Sequence, residues 1–371
     1  MRISGAVISL WCWGSMTATV LSLSVCPPQI DSRADEVLPR ALPSAPMRLA
    51  IYPPLLASYL TIDGTSAHVL AVSEAERKSI ASGLFGRIFP SIKSLSVVPA
   101  DPEQMLLLAP DKIIAWSWAP AELGKVGIPI ERMDTTDLIG TWKRLGQIAQ
   151  RPERADDFVS SFIQHVGRLI ETIADLPVRK DQHVIIVWRN GPEGWNVASS
   201  GHRQAQYLKK LGAAAPPEWL SMKGITVGNL RVGVETLLNL DPDTIFLSCC
   251  APLNDNPQTF YSEPVFQALK AVQNRRVYKQ PSDGTRMDAL VEWPLLLRWY
   301  AELLYSCELG RTFRDDFTRA YSQIYGITTS DDELNTILFM NENSLSANYW
   351  RFTRDVQNEG VPVETCQRTK T

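Results

Sequence analysis

The stretch EQMLLLAPDKI starts at Glu103 and returns as ETLLNLDPDTI at Glu235, and this repetition constrains the fold more than any other feature. In each copy a helical run meets a proline that cannot continue it, then an aspartate, then an apolar β-prone run. The unit is helix, tight turn, buried strand. Asp101-Pro102 ahead of the first copy reads as N-cap and first helical residue. Glu103 then falls in the first turn, where a carboxylate suits the helix dipole, and Glu235 holds the matching place. One sheet has little reason to repeat a whole unit at this separation, so the sequence predicts two α/β lobes of the same design.

The remaining chain fits two lobes, and 371 residues with 45% hydrophobic content can bury more than one core. Residues 48–52, 69–73, 112–116 and 128–133 read as strands of a first lobe, 47–150. Residues 183–188, 244–248 and 276–280 read as strands of a second, 178–326. Between them, over 151–177, Phe158, Phe162, Val166, Leu169, Ile173 and Leu176 recur at steps of four or three. That is one amphipathic helix with no glycine-rich linker, a stiff connection that predicts small lobe motion. A closing helix and tail are expected over 327–371, with order fading beyond Asn341.

Charge and cysteines narrow the function classes. A net charge of −3 with no Lys/Arg run speaks against nucleic acid or an anionic membrane surface as partner. At the N-terminus, Arg2 precedes an uncharged, largely apolar run from Ile3 to Val25, so residues 1–26 read as an export signal. The run is also long enough for an uncleaved anchor. LSLSVC places Cys26 where a lipoprotein is acylated, although Val25 is bulkier than the residue that usually precedes such a cysteine. All three readings put the mature chain outside the inner membrane. Cys249, Cys250, Cys307 and Cys366 are too few and too irregular for a disulfide framework or a zinc site. Neighbours such as Cys249 and Cys250 would sooner bridge to Cys307 or Cys366 than to each other, and buried thiols are the simpler expectation.

From about Met47 to Tyr325 the chain resembles the periplasmic substrate-binding proteins of ABC importers for ferric siderophores, haem and cobalamin. The matching features are DPEQMLLLAPDKIIAW with GIPIERMD, the second copy VGVETLLNLDPDTIFL, then FQALKAVQNRRVY and VEWPLLLRWYAELLY, in that order. The resemblance implies an α/β fold of two Rossmann-like lobes connected by a single long α-helix, the class III periplasmic binding protein. It also implies that Glu103 and Glu235 dock into arginine pockets on an inner-membrane ABC permease dimer. The protein is expected to be a monomer that captures an iron complex, with a corrinoid or a molybdate-type oxyanion as the alternative cargo.

In doubly wound sheets ligands sit outside the carboxyl ends of the strands. Those ends carry Tyr52-Pro53, Trp116-Ser117-Trp118, Trp188-Arg189-Asn190 and Cys249-Cys250, an aromatic lining suited to a large planar or chelated ligand. Arg189 and Arg286 are the cations expected to meet a negatively charged ligand. By resemblance, the segment WNVASSGHRQAQYLKKLGAAAP is a turn before a helix that brings Ser199, Ser200 and His202 toward the cleft. Bare metal ions are disfavoured because His68, His165, His183 and His202 are scattered, but for haem, as ligand rather than resident cofactor, Tyr52 or His202 would serve as axial group. The rival class is an enzyme or a nitrogenase-like metalloprotein. No nucleophile elbow, P-loop, dinucleotide fingerprint or zincin motif is present, so no catalytic residue is assigned.

Overall fold

The computed structural model describes residues 47–354 except 53, 99–101, 118, 120, 135–136, 177–181, 190–193, 215–228, 249–255, 284–286 and 288–291. The N-terminal segment with Cys26, and Cys249, Cys250 and Cys366, therefore lie outside the described residues.

The first lobe runs β1 (Leu49–Ile51), α1 (Leu56–Asp63), β2 (Val69–Val72), α2 (Glu74–Ser82), α3 (Leu84–Ile88), β3 (Ser96–Val97), α4 (Pro102–Leu108), β4 (Lys112–Trp116), β5 (Ile130–Met133), α5 (Leu138–Ile148). Its sheet has the order β3-β2-β1-β4-β5, with every pair parallel. Next comes α6 (Pro152–Ala174), whose 23 residues span about 35 Å. Ala155, Val159, Phe162, Val166 and Ile173 form its buried stripe. The second lobe runs β6 (Val184–Arg189), β7 (Trp195–Ala198), α7 (Arg203–Lys210), β8 (Asn229–Val232), α8 (Val234–Leu240), β9 (Thr244–Leu247), α9 (Pro257–Ser262), α10 (Lys270–Gln273), β10 (Val277–Lys279). Its order is β10-β9-β6-β7-β8, parallel across β10, β9 and β6 and antiparallel across β6, β7 and β8. The chain closes with α11 (Glu292–Leu304), α12 (Phe313–Tyr325) and α13 (Asp331–Ile337). These are two Rossmann-like lobes joined by α6.

The repeated segment is explained by its turn. In the first copy Ala109 takes a positive φ of 44°, Asp111 Oδ2 accepts from the Arg48 backbone N–H at 2.6 Å, and Asp111 N–H donates back to Arg48 O at 2.8 Å. In the second, Asp241 takes φ 37°, Asp243 Oδ2 accepts from His183 N–H at 2.8 Å, and Asp243 N–H returns a 2.8 Å bond to His183 O. The Pro-Asp pair thus stops each helix and pins the start of each lobe's central strand. His183 serves here through its backbone.

Strand alternation sorts the core. Leu49 and Ile51 face a cluster that runs across both lobes and includes α6 and α11, while Ala50, Ile113 and Ala115 face a smaller outer cluster. On β6, Val184 and Ile186 join the shared cluster, and Ile185 and Val187 join an outer one with Trp195 and Phe260.

Three details depart from the sequence reading. Strands β3, β7 and β8 are additional: β3 has only two residues, and β7 and β8 interrupt their apolar residues with Asn196, Asn229 and Arg231 instead of forming the apolar runs that mark most of the other strands. Beyond Asn341 the chain stays packed through Phe352: Asn343 is fully buried, its Oδ1 accepts from Lys279 N–H at 2.7 Å and its Nδ2 donates to Lys279 O at 3.0 Å. This side chain imitates a strand partner and covers the edge of β10, while Tyr349 and Phe352 pack on Trp299. Cys307 is exposed and disulfide-bonded to a cysteine outside the described residues, which corrects the expectation of buried thiols.

Candidate ligand-binding cleft

The first sheet proceeds from β1 outward to β3 and then returns to β4 on the other side, so its topological switch point lies between β1 and β4. Tyr52 follows β1 directly and Trp116 ends β4, which sets both at that crevice. The Tyr52 N–H donates to Ile114 O at 2.9 Å, and burial raises its phenol pKa. Arg132 on β5 supports the next loop by donating to the carbonyls of Ala119 at 2.7 Å, Trp116 at 3.4 Å and Ser117 at 3.5 Å. Trp118 lies outside the described residues.

In the second lobe β6 carries Trp188 and Arg189 at its carboxyl end. Alternation sends the two to opposite faces. Trp188 packs beside the shared core with its ring centroid 6.0 Å from the His202 ring, whereas the Arg189 guanidinium lies 4.5 Å over Trp195, the indole of the outer cluster. His202 is the N-cap of α7, and Ser199 and Ser200 form the turn before it. Arg286 lies outside the described residues.

A cation that sequence reading passed over stands at the seam between lobes. The guanidinium carbon of Arg203, first residue of α7, lies 5.9 Å from the Trp116 ring centroid in the first lobe and 5.7 Å from that of Trp293 in α11. Trp293 meets Tyr207 edge-on at 5.6 Å, and Tyr207 meets Phe162 of α6 at 6.1 Å. Burial raises the Tyr207 phenol pKa, with the Arg203 charge acting against that rise. The only local signal for Arg203 was its place immediately after His202; its approach to Trp116 depends on how the lobes pack.

The structure therefore joins Trp116 to Arg203 and Trp293 across the lobes, and Trp188 to His202, and sets Arg189 apart from them. Trp116 and Trp293 are themselves buried in the shared core, so the half-buried Tyr52, Trp188, His202 and Arg203 are the side chains of this group that a ligand can reach, a set suited to a ligand with a planar or apolar body and a negative rim. Among the described residues no three or more His, Cys, Asp or Glu side chains converge to hold a metal ion. Glu103 and Glu235 are exposed in the first turns of α4 and α8.

Comparison with known proteins agrees with this architecture. The family model described as periplasmic binding protein matches residues 90–283, about half of the chain. No curated protein matches the sequence. Among solved structures, a periplasmic solute binding protein from Veillonella parvula is 24% identical with a TM-score of 0.64, over 80% of this chain and 93% of that one. A Helicobacter pylori CeuE complex with Ni-His is 16% identical with a TM-score of 0.62, over 79% and 94%. Haemophilus influenzae MolA bound to molybdate is 15% identical with a TM-score of 0.61, over 76% and 94%.

Proposed function

Because the chain belongs to the periplasmic binding protein family and is thus the substrate-binding component of an ABC transporter, we propose that its cargo is an iron complex, a ferric siderophore or haem, held between the lobes. The observation that carries this reading is the group of half-buried side chains at the strand ends and the seam, Tyr52, Trp188, His202 and Arg203, backed by the buried indoles of Trp116 and Trp293. Such faces gain most from a large, partly planar ligand and least from a sugar or an amino acid. Corrinoids share this shape and are the second candidate. The activity is capture and delivery, without a catalytic step.

Delivery follows from the paired carboxylates. One exposed glutamate per lobe gives electrostatic registry to a two-fold permease in the inner membrane. No helix among the described residues is long and apolar enough to cross a membrane, so any anchoring would rest with the N-terminal segment, by the uncleaved apolar run or an acylated Cys26. The protein acts as a monomer in this scheme.

The test is titration with ferric siderophores, haem and corrinoids, followed by tryptophan fluorescence. Saturable quenching by one of them supports the reading. Absence of quenching by all, together with tight binding of a sugar or amino acid, removes it.

A further inference from the structure

We propose that Cys307 is bridged to Cys366, which straps the C-terminal residues 355–371 back onto the end of α11, on the edge of the second lobe opposite the cleft. Cys307 is exposed and disulfide-bonded, and the other cysteines of the chain are Cys12, Cys26, Cys249, Cys250 and Cys366. The course of the chain chooses among them.

Sheet direction removes Cys249 and Cys250. Helix α11 runs from the cleft side to the opposite edge: near its start the Trp293 ring lies 5.7 Å from the Arg203 guanidinium, and at its end Leu304 O accepts from Gln182 Nε2 at 3.1 Å, just ahead of β6. The Tyr305 hydroxyl then donates to Leu211 O, beyond the end of α7. Strand β9 is parallel to β6 and leaves at the other edge, where the Ser248 N–H donates to Val187 O at 2.8 Å. Gln182 and Val187 stand roughly 16 Å apart along extended chain, whereas bridged cysteines keep their Cα atoms within about 7 Å. The two residues that follow Ser248 are out of range of Cys307.

The last described residues, by contrast, run alongside it. Asn348 Nδ2 donates to Ser306 Oγ at 2.9 Å, the Arg351 guanidinium donates to the carbonyls of Ser306 and Leu309, and Arg311 Nη2 donates to Thr353 O at 2.6 Å. The chain is thus fastened beside Cys307 at Thr353, and Cys366 follows by 13 residues, ample length to return to an exposed sulfur. Cys12 sits in the apolar run read as an export signal, and Cys26 precedes Met47, the first described residue of the other lobe, by 21 residues. The bond forms by exchange: each thiol gives up its proton, the pair passes two electrons to a donor disulfide, and the donor leaves as two thiols. It persists in an oxidising compartment, in keeping with an exported chain. Once closed, it restricts the unfolded chain over a loop of roughly 60 residues that contains α12, α13 and Asn343.

The experiment maps the bridge in the full chain, exported from bacterial cells, alkylated and digested with trypsin without reduction. Residues 299–311 and 355–368 are tryptic peptides that carry Cys307 and Cys366, and Cys249 and Cys250 share the peptide 232–270. The expected product is 299–311 joined to 355–368, at the summed mass less two hydrogens, and separated by dithiothreitol. Linkage of 299–311 to 232–270 or to a peptide with Cys26, or its recovery as an alkylated monomer, overturns the proposal. Melting curves read the strap itself. Cys307→Ser and Cys366→Ser should each lower the melting temperature by roughly 5 °C or more, the double variant should fall no further, and reduced wild type should melt with them. A Cys366→Ser protein that melts like oxidised wild type, or a double variant that loses the sum of the two, also overturns it; the peptide map decides if a variant fails to fold.

Discussion

Asp283 Oδ1 accepts the backbone N–H of Leu84 at 2.6 Å, so a carboxylate after β10 of the second lobe caps the start of α3 in the first. Asp283 is 3% exposed. Close by, the Tyr321 hydroxyl donates to buried Glu292 at 2.9 Å, and the Tyr325 hydroxyl lies 2.7 Å from Thr61 Oγ1 of α1. Tyr325 also meets Phe85 and Phe89 edge-on at 5.6 and 6.3 Å. The lobes are thus held by a packed polar and aromatic seam as well as by α6. Gly83 belongs to it, because a Cβ there would overlap the Asp283 backbone oxygen.

The first prediction concerns pH. Burial raises the Asp283 pKa well above 3.8, the charge of Glu292 adds to the rise, the Leu84 and Phe85 N–H groups oppose it, and Glu333 adds further. For an acid with a raised folded-state pKa, the stability contribution is complete below the unfolded value and is lost as pH rises through the folded value. Wild type should therefore lose stability relative to Asp283→Asn as pH rises from about 4. Asn keeps the carbonyl acceptor for Leu84 and removes the charge. Urea unfolding of both proteins across that range is the check, and parallel profiles would remove Asp283 as the cause.

A second prediction concerns motion. With α6 continuous and the Asp283–Leu84 and Thr61–Tyr325 contacts closing the seam, loading should change lobe orientation only slightly. Scattering from free protein and from protein saturated with the chelate that quenches tryptophan should give nearly equal radii of gyration. A large decrease on loading would show that the seam opens in the free state.

The paired glutamates give a third. Charge reversal at Glu103 and Glu235 should leave ligand affinity unchanged, because both are exposed at helix starts rather than at the carboxyl ends of strands. Uptake should fall, since like charges at an interface cost several kcal/mol, whereas the lost helix-dipole interaction costs only about 0.3 to 1 kcal/mol of fold stability. Unchanged uptake with a lowered melting temperature would make both residues structural.

A fourth concerns the tail. Asn343→Ala removes the partner of Lys279 N–H, Lys279 O and Leu338 O in a fully buried setting. It should cost at least about 2 kcal/mol and expose the edge of β10. Denaturant unfolding with a light-scattering monitor reads both effects; full stability would show that water replaces the amide.

Local sequence determined what local chemistry controls. The Pro-Asp turn stops a helix and pins the start of a strand in both copies, so its recurrence at Pro110-Asp111 and Pro242-Asp243 was enough to specify two α/β lobes that share this unit, while the antiparallel β7 and β8 of the second sheet were not legible from it. The apolar spacing from Phe158 to Leu176 likewise made α6 legible, because a helix stripe depends on neighbours three and four residues away. Tertiary structure decided the remainder. Asn343 meets Lys279, Asp283 meets Leu84 and Arg203 meets Trp116 only after the lobes pack, and no signal near either member marks such a contact. Alternation along β6 separated Trp188 from Arg189, two residues that sequence had placed in one loop. A strand sends adjacent side chains to opposite faces, and only the packed sheet determines which face borders the cleft.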